Sequence, residues 1–349
     1  MTARPAGGAT PLIRALHKVL DGNDLGRDEA RAAMEAIMGG EATPSQIAGY
    51  LVALRAKGET VQEIAGSAEA MRAAAIRVEA GRDGLVDTAG TGGDGAGTIN
   101  VSTAAAIVAA GAGVPVAKHG NRGVSSRCGS ADVLEALGVT LVESPARQAE
   151  ILAEVGLAFL FAPFQHPAMK HAVGPRKELG VRTIFNVLGP LTNPAGARRQ
   201  LVGVYDAALV ETLARVLGEL GAERALVVHG AGGLDELSTL GPTRVAEWDG
   251  ASVRTYEIDP ADFDLPAARI EDLAGGEPDE NAAAIRAILD GQPGPGADIV
   301  LLNAAAAIYV GGAAADLGEG LRRAREAVAG GAASERLEAL VKASGGSRP

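Results

Sequence analysis

Residues 87–103 read DTAGTGGDGAGTINVST, and Gly90, Gly92 and Gly95 within them satisfy the G-x-G-x-x-G pattern of a dinucleotide-binding turn. Such a turn works because its helix begins inside the glycines and brings a helix N-terminus onto the pyrophosphate. Here Ala96 to Asn100 intervene before Val101-Ser102-Thr103 leads into an alanine-rich helix, with Asn100 or Ser102 the natural cap. A dinucleotide site also needs an acidic residue about twenty positions further on for the ribose diol. That place holds Lys118-His119-Gly120-Asn121-Arg122. Side-chain donors at a helix start, free backbone N–H groups and two cations one strand later make a phosphate cradle. An NADP site whose arginine reads the 2′-phosphate stays open on this pattern, as does a plain glycine turn.

A second pair of candidates is Asp235-Glu236, adjacent carboxylates after Gly232-Gly233. Hard oxygens at the end of a strand suit Mg²⁺, which keeps several waters and binds through one or two carboxylates plus substrate phosphates. The plainer reading is a solvated acidic pair. Cys128, the one cysteine, rules out an internal disulfide and a multi-thiolate metal site. Beside Arg127 and Gly129 it reads as a small packing residue, since no paired base accompanies it. His17, His166, His171 and His229 have no metal-ligand spacing and read as structural.

Charge and composition limit the ligand. The net charge of −11, from 32 Lys plus Arg against 43 Asp plus Glu, repels nucleic acid and acidic membranes, and 3% aromatic content leaves few stacking platforms. The opening MTARPAGGAT lacks the layout of a signal peptide, and the apolar run Val101 to Val116 is broken by polar residues, Gly and Pro. The expectation is a cytoplasmic protein with no membrane segment.

Two kinds of element must position these groups. Up to residue 80 the pattern is helical. Apolar stripes run through 10–21 and 27–38, and Thr43-Pro44-Ser45-Gln46 and Thr60-Val61-Gln62-Glu63 are capping boxes. From residue 84 short apolar runs alternate with helices. Strands are expected at Leu85-Val86, Val114–Ala117, Leu157–Phe161, Leu201–Tyr205, Ala225–His229 and Val253–Ile258. Helices are expected at Thr103–Gly111, Ala131–Leu137, Pro145–Val155 and Leu209–Leu220. The fold class is therefore α/β: a small N-terminal helical domain and a larger domain with a mainly parallel central sheet. The expected division is 1–80 with 167–194 for the helical domain, and 81–166 with 195–345 for the α/β domain. Helical stripes exceeding what so small a bundle hides predict a homodimer through residues 1–80.

Taken together, GTGGDG at Gly90–Gly95, Asn100-Val101-Ser102-Thr103, KHGNR at Lys118–Arg122 and Gly129-Ser130-Ala131-Asp132 closely resemble the anthranilate phosphoribosyltransferases of tryptophan biosynthesis. The resemblance extends over nearly the whole chain, through His166–Lys170, Arg176–Gly180, NVLGPLTNP at Asn186–Pro194 and Gly233–Glu236. Ala89, Ile99 and Gly123 depart from the family pattern at packing positions. The plan is shared with pyrimidine nucleoside phosphorylases, whose loop resembles KHSTGG, absent here at 118–123; a silent nucleic-acid-binding relative would need a basic surface.

The resemblance implies transfer of a phosphoribosyl group from phosphoribosyl pyrophosphate to the amine of anthranilate, with Mg²⁺. It implies contacts to phosphoribosyl pyrophosphate from Gly90, Gly93, Asp94, Thr98, Asn100, Val101, Ser102, Thr103, Lys118, His119, Gly120, Asn121, Arg122, Gly123, Val124, Ser125, Ser126 and Ser130. It assigns anthranilate to Arg176, Asn121 and Gly90, and the metal to Ser102, Asp235 and Glu236. His119 either touches the amine side or only orients its loop. An aromatic amine is largely neutral at pH 7, so no strong base is expected.

Overall fold

The computed structural model describes residues 10–123 and 127–347, which divide into two compact units. One is helical and holds the chain up to Ile76 together with His166–Thr192; the other holds Arg77–Gln165 and the chain from Asn193 onward.

The helical unit opens with α1 (Pro11–Leu20), α2 (Arg27–Met38), α3 (Pro44–Lys57) and α4 (Val61–Ala74). Both predicted capping boxes form. Gln46 N donates to Thr43 Oγ1 at 3.3 Å and Thr43 N returns to Gln46 Oε1 at 2.9 Å. Thr60 and Glu63 repeat the exchange at 3.3 and 2.8 Å. Glu63 is wholly buried, so its remaining capacity is filled: Leu25 N donates to it at 2.9 Å and Lys57 Nζ at 3.0 Å.

The α/β unit begins with β1 (Val86–Gly90), α5 (Val101–Gly111), β2 (Val116–Gly120), α6 (Ser130–Ala136), α7 (Pro145–Val155), β3 (Leu157–Phe161) and the short α8 (Ala162–Gln165). Helix α5 is buried on every side from Thr103 to Ala110, which is why its sequence shows no polar stripe. The chain then gives α9 (Lys170–Leu179) and α10 (Phe185–Leu188) to the helical unit, where α9 packs on α2 and α3.

Back in the α/β unit come β4 (Arg199–Gly203), α11 (Leu209–Glu219), β5 (Arg224–His229), β6 (Thr243–Trp248), β7 (Val253–Ile258), α12 (Pro278–Leu289), α13 (Pro295–Val310), α14 (Leu317–Ala329) and α15 (Ala332–Ala343). The described strands form one sheet in the order β3-β2-β1-β4-β5-β6-β7. The first five are parallel; β6 and β7 are antiparallel additions at one side. β6 has no counterpart among the apolar runs of the sequence, because TRVAEW mixes charged with apolar residues. Two crossovers carry the chain outward from β1 to β3, and the next brings it back to the other side of β1. The order therefore reverses between β1 and β4, whose carboxyl ends form the crevice where ligands bind in such sheets.

Candidate active site

Gly90 and Gly203 close β1 and β4 side by side in the ladder. Both are glycine because Asp235, in the loop after β5, lies across them. A Cβ on Gly203 would run into the Asp235 carbonyl, and one on Gly90 would stand 3.0 Å from Asp235 Cγ and nearer still to Oδ2. The loop after β1 is tied to its neighbour by Thr91 N donating to Gly203 O at 2.9 Å and Tyr205 N to Thr91 Oγ1 at 3.1 Å. Gly92 and Gly93 follow with φ of 65° and 75°, a left-handed pair that glycine adopts without steric cost. Gly92 N donates to Asp235 Oδ2 at 2.7 Å, and Ser102 N, in the first turn of α5, to Glu236 Oε1 at 3.2 Å. The two carboxylates thus sit on the groups an anion would seek, and bind the glycine loop to the helix start.

Lys118 comes to the same place from β2. It is 4% exposed, and its ammonium donates to Thr88 O and, at 3.2 Å, to Ser102 Oγ. Burial pulls its proton affinity down, while the charges of Asp87, Glu236 and Asp235 hold it up. The acids respond in the opposite sense. Burial, then the charge of Asp94, pushes Asp235 up to about 7, and burial with the charge of Asp235 raises Glu236 well above the ordinary carboxylate range. Among the described residues no three His, Cys, Asp or Glu side chains stand together as a ready metal cage. Two hard carboxylates raised first by burial and then by the neighbouring acids, with a serine hydroxyl beside them, fit a cation such as Mg²⁺ that takes its other ligands from phosphate and water.

The comparisons with known proteins decide the family. The description "Glycosyl transferase family, helical bundle domain" matches residues 13–75, and "Glycosyl transferase family, a/b domain" matches 82–334. An anthranilate phosphoribosyltransferase of Moorella thermoacetica is 56% identical over 93% of this chain and 96% of its own length. One of Rhodospirillum rubrum is 54% identical over 98% of both. The chain belongs to the anthranilate phosphoribosyltransferase family. The family enzyme of Thermus thermophilus superposes with a TM-score of 0.90 at 50% identity, covering 95% of this chain and 99% of that one. The Saccharomyces cerevisiae enzyme, solved "in complex with PRPP and Mg", has a TM-score of 0.88 at 29% identity over 96% of this chain and 98% of its own.

The remaining residues that the family resemblance names are distributed as follows. Asn100 is the N-cap of α5, but its side chain donates to Cys128 O at 3.1 Å instead of capping the helix. Thr98 bridges to Ala274, Asp94 Oδ1 accepts from Ala96 N, and Val101 and Thr103 are buried. His119 is buried at the end of β2, its N–H donating to Asp87 Oδ1 at 3.0 Å. Gly120 leads into exposed Asn121, whose N–H donates to Ser130 Oγ at 3.2 Å. Arg122 spends its guanidinium on Asp132 and Glu135 and stacks over Phe161, while Gly123 N donates to Asp132 Oδ2 at 2.9 Å. Val124, Ser125 and Ser126 lie outside the described residues. Arg176 stands on α9 in the helical unit, half-buried over the Phe185 ring at 5.1 Å, with its proton affinity lowered by burial. Among the described residues no carboxylate pairs with it.

Three polar residues have roles that the motifs do not assign. Asp87, wholly buried, accepts from His119 N and from Asn193 Nδ2 at 2.8 Å, and Asn193 also donates to Ala117 O, so β1, β2 and the returning chain share one knot. Burial pushes Asp87 up to about 6 against the charge of Lys118. Asp132 clasps the loop ends Gly123 and Gly129, and Asn281 reaches Asn100. A lone acid in an apolar strand was the one available signal for Asp87.

Proposed function

We propose that this enzyme transfers the phosphoribosyl group of 5-phosphoribosyl 1-pyrophosphate to the amine of anthranilate, giving N-(5-phosphoribosyl)anthranilate and pyrophosphate in tryptophan biosynthesis. The observation that carries the reading is the joining of glycine loop, α5 start and β2 end through Asp235, Glu236 and Lys118 at the carboxyl ends of β1 and β4. Breaking the anomeric bond puts charge on the departing pyrophosphate, so stabilisation belongs there. Backbone N–H groups of Gly92 to Gly95, the positive end of α5 and the Lys118 ammonium supply it. Gly90, Gly93, Asp94, Thr98, Asn100 to Thr103, Lys118 to Ser126 and Ser130 bind this substrate.

Ser102, Asp235 and Glu236 are the residues that would hold Mg²⁺. The ion, when bound, neutralises charge developing on the phosphate oxygens. Arg176, half-buried and without a carboxylate partner among the described residues, holds the anthranilate carboxylate, and Asn121 and Gly90 are the other residues that the resemblance gives to anthranilate. The enzyme works in the cytoplasm as a homodimer joined through its helical domain; exposed Leu20 and Val52 on α1 and α3 support that face. Purified protein with anthranilate, phosphoribosyl pyrophosphate and Mg²⁺ should quench anthranilate fluorescence. Persistent fluorescence together with consumption of thymidine and phosphate would replace this reading by a nucleoside phosphorylase.

A further inference from the structure

The far half of the glycine loop is backed by a segment that no motif marks. Ile99 N donates to Leu273 O at 3.0 Å and Gly275 N to Gly97 O at 2.8 Å, so residues 97–99 and 273–275 run together like a short ladder. Gly275 lies so close that a Cβ would stand 2.6 Å from Thr98 O. Beyond it, Asn281 in the first turns of α12 is 2% exposed and fully engaged. Its Oδ1 accepts from Gly276 N at 2.7 Å, and its Nδ2 donates to Asn100 Oδ1 at 2.8 Å. Asn100 Nδ2 then donates to Cys128 O at 3.1 Å, next to Gly129 and Ser130.

The polarity of this chain is fixed at both ends. Gly276 N can only donate, so the Asn281 oxygen must face it and the Asn281 amide nitrogen must face Asn100. Cys128 O can only accept, so the Asn100 nitrogen must face it and the Asn100 oxygen must face Asn281. Each side chain is determined by the other. An aspartate, serine or leucine at either place breaks the sequence of donors.

We propose that Asn281 is a positioning residue for phosphoribosyl pyrophosphate binding: through Asn100 it fixes the spacing between the glycine loop and the 128–130 turn. It touches no substrate atom. It sets where Asn100 and the start of α5 stand relative to Ser130, and so the width of the cradle. The inference rests on the reading of Asn100 and Ser130 as phosphoribosyl pyrophosphate contacts.

Calorimetric titration of phosphoribosyl pyrophosphate with Mg²⁺ into Asn281→Ala, Asn100→Ala and the double variant tests it. Asn281→Ala should weaken binding about tenfold, on the scale of one buried hydrogen bond. It should leave the anthranilate KM within about twofold. The double variant should bind no worse than Asn100→Ala alone, because one residue acts through the other. A general loosening of the fold would instead weaken both substrates, and the two losses would multiply; that result overturns the proposal, as does wild-type affinity in Asn281→Ala. Wild-type affinity in Asn100→Ala would overturn the underlying site reading as well, which separates the two failures. Asn281→Asp, which keeps the acceptor for Gly276 N and reverses the donor toward Asn100, serves if the alanine variant does not fold, with the same loss expected.

Discussion

Gly90→Ala is the sharpest probe of the crevice, because it should separate activity from stability. The backbone at Gly90 is one that alanine adopts without strain, and the new methyl meets the end of the Asp235 side chain. A distance of 3.0 Å to Cγ falls short of an ordinary carbon contact of about 3.5–4.0 Å. The carboxylate must therefore swing aside by on the order of 1 Å, enough to break the 2.7 Å bond from Gly92 N. Losing a hydrogen bond to a charged group costs about 1.5–3 kcal/mol. That is about a ten- to hundredfold fall in kcat/KM for phosphoribosyl pyrophosphate at limiting Mg²⁺. The fold should lose much less than that figure, since Gly92 is exposed and water can take up its N–H, and since Gly→Ala restricts the unfolded chain. Gly203→Ala makes the contrast: its Cβ collides with the Asp235 main chain, which has nowhere to go, and it should lose both activity and melting temperature. The assay is anthranilate fluorescence across a Mg²⁺ titration beside a thermal melt. Full activity in Gly90→Ala would mean that the position of Asp235 does not matter to turnover.

Asp235→Ala with Glu236→Ala should abolish Mg²⁺-dependent turnover while leaving a folded protein; unchanged activity through a metal titration would remove both from the metal site. Arg176→Ala should raise the KM for anthranilate about ten- to a hundredfold and leave phosphoribosyl pyrophosphate binding nearly untouched, whereas equal damage to both would give this arginine a structural role. A sedimentation mass near the 35.1 kDa monomer at micromolar concentration would dispose of the homodimer. His166, 7% exposed in the helical unit, has its pKa lowered from 6.5 to about 4 by burial. Folded below unfolded, it contributes stability that is whole above pH 6.5 and lost as pH falls through 4, about 3 kcal/mol at most. Denaturant melts between pH 7 and 4 should show that slope in the wild type and a flatter one in His166→Gln.

What the sequence disclosed and what it withheld divide by distance along the chain. Thr43 with Gln46 and Thr60 with Glu63 are readable because both partners of each cap lie within one turn. The strand at Leu157–Phe161 and the late start of α5 at Val101 are likewise local facts. β6 was hidden because an antiparallel addition beside the sheet keeps charged residues such as Arg244 and Glu247 within its run. The crevice was half visible. Its glycines and carboxylates stand in motifs, but nothing near Gly203 says that Asp235 will lie across it. Asn100 carries no mark of its dependence on a residue 181 positions away. Such contacts have no period and no composition. A polar residue where the local pattern calls for an apolar one is the trace that Asp87 leaves after Leu85-Val86; Asn281, behind Asp279-Glu280 at a helix start, leaves none. Both are buried and fully engaged with groups that flank the proposed substrate loops. Burying such a residue costs free energy unless each of its polar atoms is matched. An isolated polar residue in an apolar run is therefore evidence of a distant partner before that partner is known.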